Sequence, residues 1–127
     1  MRISVDEARA YFDHASQQKA NCAPDSLPDE GFQYWADGGV CAVFHQAHWP
    51  GVWMAHYGVK PDAWGKTTAP AKAILTAFWQ AQQPSLIIGW TKHDNRAALS
   101  FAKRIGFIET GRMVLDSETV IQQSWRP

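Results

Sequence analysis

A strand, a loop, a helix and a second strand follow one another between positions 52 and 91, and this succession constrains the fold most. Val52–Val59 is an aromatic and β-rich run, and Ser85–Thr91 is a short apolar run. The region between them holds a helical stripe of Ala71, Ile74, Leu75 and Phe78, which ends before Pro84. Two strands joined through a helix are expected to form a right-handed crossover within one sheet.

The first fifty residues predict a helix followed by a β-hairpin. Ser4 and Glu7 form a capping box, so we expect a helix to start there and to run to about Lys19. A loop should cover positions 21–30. Phe32–Ala36 and Val40–Gln46 read as two strands joined by the turn Asp37-Gly38-Gly39.

The last third predicts a capped helix and two final strands. Asn95 is a good N-cap, Gly106 is a natural C-terminal residue, and the helix between them carries an apolar stripe. Phe107–Leu115 and Thr119–Trp125 should be strands. The order is therefore helix, three strands, helix, strand, helix, two strands. It indicates an α/β (α+β) fold with a mixed, mostly antiparallel sheet flanked by helices, in a single domain over residues 1–127.

Composition excludes several classes of function. Twelve basic residues balance twelve acidic ones, so no overall field favours nucleic acid or a membrane surface as a partner. No apolar run has the length of a membrane span, and no secretory signal is apparent, so a cytoplasmic setting is expected. Cys22 and Cys41 are expected to be free thiols, with one disulfide between them as the alternative. The five histidines are scattered, and no metal site is expected.

The loop before the second helix has the features of an anion site. Gly65 lets the backbone approach a ligand, Lys66 adds a positive charge, and the N–H groups of Thr67, Thr68 and Ala69 lie at the helix start. The alternative is an ordinary connection between a strand and a helix, with threonine caps. By itself this pattern does not separate the two.

The segment NRAALSFAKRIGF, from Asn95 to Phe107, is more specific. It resembles the N-x-x-A-x-x-F-Y-x-x-x-G-F pattern of the general N-acetyltransferase (GNAT) family. Upstream, GVKPDAWGKTTA is similar to the family's strand and loop ending in Arg/Gln-x-x-Gly-x-Gly/Ala. The resemblance covers a little under half of the chain.

The resemblance implies an acetyl-CoA-dependent transfer of an acetyl group to an amine of unknown identity, by direct attack. In this family two central strands splay apart to admit the thioester, which here would be the strands at 52–59 and 85–91. A backbone N–H near Gly58 or Val59 would stabilise the developing oxyanion. The family's pattern puts the cosubstrate against Tyr57, Gly58, Val59, Trp64, Gly65, Lys66, Thr67, Thr68, Ala69, Asn95, Ala98 and Phe101.

Three departures from the family pattern keep an alternative open. Trp64 replaces the loop Arg/Gln, Thr67 replaces the first glycine, and Ala102 stands where the family often has a tyrosine that protonates the leaving thiolate. Short GNAT-like proteins of bacteriophages and prophages resemble this pattern. The alternative is thus a non-catalytic binding or assembly protein with weak or no CoA binding. An α+β domain unrelated to CoA is the third interpretation.

His56 and Tyr57 are the candidate catalytic residues. A neutral His56 could take a proton from the amine. Tyr57 could hydrogen-bond the acceptor or donate to the thiolate, and packing is the alternative role for it. The two side chains point to opposite faces of one strand, so a structural role for His56 stays open unless a bulge changes that parity. His45 and His48 are expected at the surface. A homodimer is compatible with the tryptophan-rich composition but has no direct support.

Overall fold

The computed structural model describes residues 1–14 and 27–127, which form a seven-stranded sheet with three helices. The strands are β1 (Arg2–Ile3), β2 (Phe32–Asp37), β3 (Val40–Gln46), β4 (Val52–Val59), β5 (Leu86–Lys92), β6 (Ile108–Leu115) and β7 (Glu118–Trp125). The helices are α1 (Val5–Ala8), which continues as a 3₁₀ segment (Arg9–Phe12), α2 (Thr68–Gln82) and α3 (Arg96–Arg104). A short 3₁₀ turn covers Pro61–Ala63.

The strand order is β1-β2-β3-β4-β5-β7-β6, and neighbours are antiparallel except for the parallel pair β4 and β5. Helix α2 connects that parallel pair, as the sequence predicts. The mixed, mostly antiparallel α+β fold is confirmed.

Helices cover the two faces of the sheet unequally. One face packs against α2 and the end of α3 through a large aromatic and aliphatic core: Trp35, Val40, Ala42, Phe44, Trp53, Ala55, Ala71, Ile74, Leu75, Phe78, Ile87, Ile105, Phe107 and Trp125. Among the described residues, the opposite face carries the smaller cluster Ala8, Phe12, Tyr34, Ala36, Cys41 and Val43 beneath α1. Strand β4 contributes Trp53 and Ala55 to the larger core, and the partly buried Tyr57 and Val59 pack against it.

The first helix was predicted too long. The capping box at Ser4 forms as expected. The α-helix then tightens into the 3₁₀ segment after Ala8 and ends at Phe12, while positions 15–19 lie outside the described residues. A 3₁₀ final turn closes i to i+3 bonds, a common way for a helix to end.

Strand β1 was missed because two residues carry no periodic signal. It pairs with β2 through Arg2 and Ile3. Most of the loop predicted at 21–30 falls outside the described residues. Within the described ranges, no helix is long and apolar enough to cross a membrane.

Candidate active site

Strands β4 and β5 separate along their length. They pair only from Val52–Met54 to Leu86–Ile88. Beyond that point β4 continues to pair with β3 as far as Val59, and β5 pairs with β7 as far as Lys92. The edge of β4 that faces β5 therefore has no ladder partner after Met54. The expected splay is present, and it opens a gap in the middle of the sheet.

A cavity of about 540 Å³ fills this gap. Its wall includes Tyr57, on the face covered by α2 and α3, and His56, on the opposite face of the same strand. From β5 it likewise includes the consecutive residues Gly89 and Trp90. Consecutive residues of a strand point to opposite faces, so the cavity opens through the sheet. The register of β4 with β3 is continuous, without a bulge.

The wall of the cavity is apolar and carries positive but no negative charge. Lys92 and Arg104 contribute to it, and no carboxylate does among the described residues. The other contributors are Ala55, Val59, Trp64, Gly65, Thr67, Thr91, Asn95, Ala97, Ala98, Phe101, Ala102, Phe107 and Gln123. This composition suits a ligand with an apolar part and an anionic part.

The start of α2 leaves backbone donors free beside this cavity. Thr67 is the N-cap, and its side chain makes no capping hydrogen bond. The first internal bond runs from the N–H of Ala71 to the carbonyl of Thr67, at 3.0 Å. In the described part of the chain, the N–H groups of Thr68 and Ala69 have no hydrogen-bond partner. Gly65 (φ +86°) turns the chain into this helix start. The predicted anion site is thus not closed by the protein's own caps.

Helix α3 forms the opposite wall of the cavity. The Asn95 side chain accepts a hydrogen bond from the N–H of Ala98 at 3.3 Å, so Asn95 is a cap and also lines the cavity. Phe101 meets the Tyr57 ring edge to face at 5.2 Å. Ala102 also lies on the wall.

Tyr57 carries an unpartnered donor. Its hydroxyl is buried and has no hydrogen-bond partner among the described residues. Burial raises the pKa of Tyr57 above its ordinary value, so the hydroxyl stays protonated. A buried O–H without an acceptor costs roughly 1–3 kcal/mol, and such groups are concentrated at functional sites.

His56 is held neutral. Burial, and to a lesser extent the charge of His45, lower the pKa of His56 to about 4. The Nε2 atoms of His45 and His56 lie 3.3 Å apart. His45 is half-buried, so the expectation that it lies at the surface was wrong. The contact was missed because it depends on the register between β3 and β4.

The structure brings most of the predicted site residues to the cavity wall. They are His56, Tyr57, Val59, Trp64, Gly65, Thr67, Asn95, Ala98 and Phe101. Lys66, Thr68 and Ala69 lie in the adjoining loop and first helical turn but not on the wall. Gly58 faces α1, where an added Cβ would lie 2.7 Å from the Tyr11 carbonyl oxygen.

The wall also carries residues that were not predicted as site residues, among them Trp90, Lys92, Arg104 and Gln123. The Trp90 indole N–H donates to Gln122 at 3.0 Å, and Lys92 pairs with Glu118 at 3.2 Å. Each of these two contacts joins a residue of β5 to a residue of β7, so it forms only when the two strands pair. Lys103 and Arg104 at the end of α3 were the available signal of a basic helix end.

The described residues include no cluster of metal-ligating side chains, and their free thiol is buried. No group of three or more His, Cys, Asp or Glu side chains there is placed to hold a metal ion. Cys41 is a buried free thiol, and burial raises its pKa to about 12. Cys22 lies outside the described residues.

A mixed sheet that splays around a through-sheet cavity, beside a helix with free N-terminal amides, defines the GNAT class of fold. The chain belongs to the acetyltransferase (GNAT) domain family, whose model matches residues 2–108. A search of curated protein sequences gave no significant match.

Solved structures of acetyltransferases share this fold. The chain is similar to ribosomal-protein-S5-alanine acetyltransferase from Vibrio fischeri, with 12% identity, a TM-score of 0.68, and 100% of this chain and 94% of the other covered. It is also similar to a GNAT-family acetyltransferase from Bacillus anthracis, with 13% identity, a TM-score of 0.64, and 94% of this chain and 87% of the other covered. A third similar structure is a variant spermidine N-acetyltransferase from Vibrio cholerae, with 12% identity, a TM-score of 0.62, and 86% of this chain and 72% of the other covered. At these identities the likeness shows the fold alone.

Proposed function

We propose that this protein transfers an acetyl group from acetyl-CoA to an amine by direct attack within the through-sheet cavity. One observation carries the proposal: the gap between β4 and β5 is open, and it lies beside unpartnered donors at both the start of α2 and the Tyr57 hydroxyl. The Tyr57 hydroxyl is buried, so a ligand that accepts its hydrogen bond would remove the cost of leaving it unpaired.

The residues present fit acetyl-CoA. The N–H groups of Thr68 and Ala69, with Lys66 nearby, would hold the pyrophosphate at the helix start. The unpaired edge of β4 at residues 55–59 would hydrogen-bond the amides of the pantetheine arm. Ala98 and Phe101 would pack along that arm. Lys92 and Arg104 add positive charge around the cavity.

When bound, acetyl-CoA supplies an activated acetyl thioester. Our proposal assigns the two proton transfers to opposite faces of β4. His56, which is neutral over the physiological range, would take a proton from the attacking amine at its imidazole. Tyr57, which is protonated, would donate its hydroxyl proton to the departing sulfur. Tyr57 would thus supply, from the strand, the acid that Ala102 does not provide from the helix.

The acceptor is best proposed as a monoamine or a peptide amine. Two structurally similar enzymes are described as acting on an alanine of ribosomal protein S5 and on spermidine. The cavity wall described here carries Lys92 and Arg104 and no carboxylate. A polyamine with several positive charges would therefore find no partner on this wall.

A non-catalytic binding or assembly protein is the second candidate. Trp64 favours it, because this side chain is 53% exposed, stands where the family has a loop Arg/Gln, and packs edge-on against His14. Thr67 and Ala102 are the other two departures. In this alternative the cavity binds CoA weakly or not at all.

The test is thiol release from acetyl-CoA with spermidine, a peptide with N-terminal alanine, and a simple alkylamine. Amine-dependent release that is lost when Ala98→Trp fills the cavity supports the enzyme. The exposed variant Lys103→Gln is the control. Binding of acetyl-CoA without release to any amine would favour the binding protein, and no binding at all would remove both assignments to CoA.

We propose that residues 1–127 act as one acyl-CoA-binding domain in the cytoplasm, without a metal. We also keep the homodimer as a proposal, because the edge strand β6 exposes Ile108 (66%) and Val114 (71%). Light scattering would show a single monomeric species if the homodimer is wrong.

A further inference from the structure

His45 and His56 form a pair of imidazoles on one face of the sheet. Their strands are antiparallel neighbours, with Val43 opposite His56 and His45 opposite Met54, so the two histidines are diagonal neighbours. The Nε2 atoms are 3.3 Å apart, and the ring planes differ by only 9°. The Phe32 ring packs on His45 at 4.8 Å and limits its movement.

The hydrogen bonds of this pair determine where each proton lies. The Nδ1 of His45 is 3.2 Å from the carbonyl oxygen of Gln46, which can only accept. His45 therefore carries its proton on Nδ1, and its Nε2 is an acceptor. The 3.3 Å contact then requires that His56 donate from Nε2. A neutral His56 with a proton on Nε2 has a free lone pair on Nδ1.

The Nδ1 atom of His56 is the open end of the pair. It has no hydrogen-bond partner among the described residues, and it is not one of their buried unpartnered atoms. It is therefore accessible to water. His56 lines the cavity. An accessible lone pair on a cavity residue is what a proton acceptor needs.

We propose that His45 is a positioning residue, which holds His56 in the Nε2–H tautomer and so presents the Nδ1 lone pair to the cavity. The catalytic use of this tautomer rests on the proposed acetyl transfer. In that reaction the amine proton moves to Nδ1 of His56. The resulting imidazolium keeps its Nε2–H bond to the lone pair of His45.

No carboxylate influences the pKa of His56, which is lowered by burial and by His45. Among the described residues, the titratable groups on this face include Tyr11 from the 3₁₀ segment, Tyr34 from β2, Cys41 from β3, Lys92 from β5 and Glu118 from β7. The Glu118 carboxylate pairs with Lys92 at 3.2 Å. His45 is thus the partner available to orient it.

The decisive test is long-range ¹H–¹⁵N NMR of the histidine rings in the unliganded full chain near neutral pH. We expect wild type to show His56 protonated on Nε2 and His45 on Nδ1. His45→Phe should remove the preference of His56 for the Nε2–H tautomer. His45→Gln should keep this preference, because an amide oxygen can accept a hydrogen bond from the Nε2–H group. His48→Phe is the control at an exposed histidine. A proton on Nδ1 of His56 in wild type, or an unchanged tautomer in His45→Phe, would overturn the proposal.

A second arm separates positioning from simple structural support. With the amine panel above, His45→Phe should lower kcat at least about tenfold and leave the KM for acetyl-CoA unchanged, and His45→Gln should recover most of kcat. An unchanged kcat in His45→Phe would contradict the positioning role. If no amine is acetylated, the proposed function fails, while the NMR result still decides the tautomer.

Discussion

Burial shifts the pKa values of two adjacent residues of β4, His56 and Tyr57, in opposite directions. Burial disfavours the charged form, so it raises the pKa of the Tyr57 phenol and lowers that of the His56 imidazole. Both groups are therefore neutral near pH 7, one as a donor and the other as an acceptor. These are the protonation states that the acid and the base of the proposed reaction would need.

Tyr57→Phe should separate activity from stability. The variant removes a buried hydroxyl that has no partner, so unfolding in urea should show equal or greater stability, by up to about 1 kcal/mol. Thiol release with a working amine should fall about 100-fold in kcat, the usual size of a general-acid contribution. The matched variant is Tyr34→Phe, which removes a donor to the Pro28 carbonyl and should destabilise the protein. A fully active Tyr57→Phe enzyme would contradict the role of Tyr57.

His56 also makes stability depend on pH. Its folded-state pKa of about 4 lies below the ordinary 6.5, so the unfolded chain binds the proton first as the pH falls. The contribution of His56 is therefore complete above about pH 6.5 and is lost as the pH falls through this value toward 4.

In urea unfolding at a series of pH values, His56→Gln should lose less stability than wild type between about pH 7 and 4. The difference should reach up to about 3 kcal/mol, because one pKa unit corresponds to about 1.4 kcal/mol. His48→Gln, at an exposed histidine, should follow wild type. Parallel curves for wild type and His56→Gln would show that His56 is not held neutral by the fold.

At the scale of elements, the position of α2 relative to β4 matters most. The crossover places the start of α2, with its free amides, beside the point where β4 leaves β5. Apolar residues of α2 pack deep in the core, so this helix end is fixed by the fold and does not form only when a ligand binds. A site on a rigid helix start is preorganised, which lowers the entropic cost of binding.

Ala69→Asp should affect stability and binding in opposite ways. A carboxylate in the first turn interacts favourably with the helix dipole, so the unliganded protein should gain about 0.5 kcal/mol in thermal or urea unfolding. The same charge should weaken binding of CoA at least about tenfold, by repelling its pyrophosphate. Pantetheine, which lacks the pyrophosphate, should bind equally well to both proteins.

Calorimetric titration measures these affinities, and Ala69→Asn is the neutral control of similar size. If Ala69→Asp weakens the binding of CoA and of pantetheine equally, or weakens the binding of neither ligand, the pyrophosphate does not lie at the start of α2.

For the molecule as a whole, the features that could be predicted from the sequence are those with a local signal, such as a turn, a cap or a periodic apolar stripe. Turn residues and apolar periodicity place six of the seven strands and the last two helices within a few residues of their observed bounds. The segments around Gly65 and Asn95 reach the cavity because each is a local turn or cap. The extent of α1 was not predictable, because a 3₁₀ ending depends on packing against β4.

The remaining parts of the site depend on contacts between distant segments. Trp90 and Lys92 reach the cavity through the register of β5 with β7, and the His45–His56 contact depends on that of β3 with β4. Neither register leaves a local pattern in the sequence. The structure was needed to show that two adjacent residues of β4, His56 and Tyr57, both line the cavity although their side chains lie on opposite faces of the sheet.

The central claim is that acetyl-CoA occupies the gap between β4 and β5. Calorimetric titration of acetyl-CoA into wild type and Ala98→Trp tests it most directly, with thermal unfolding as a parallel readout. We expect one saturable site per chain in wild type and a gain of about 2.7 kcal/mol in unfolding free energy at 100 times Kd. Ala98→Trp should stay folded and lose at least about tenfold in affinity as its indole fills the cavity. Wild type that does not bind acetyl-CoA, or equal affinity in the two proteins, would contradict the account.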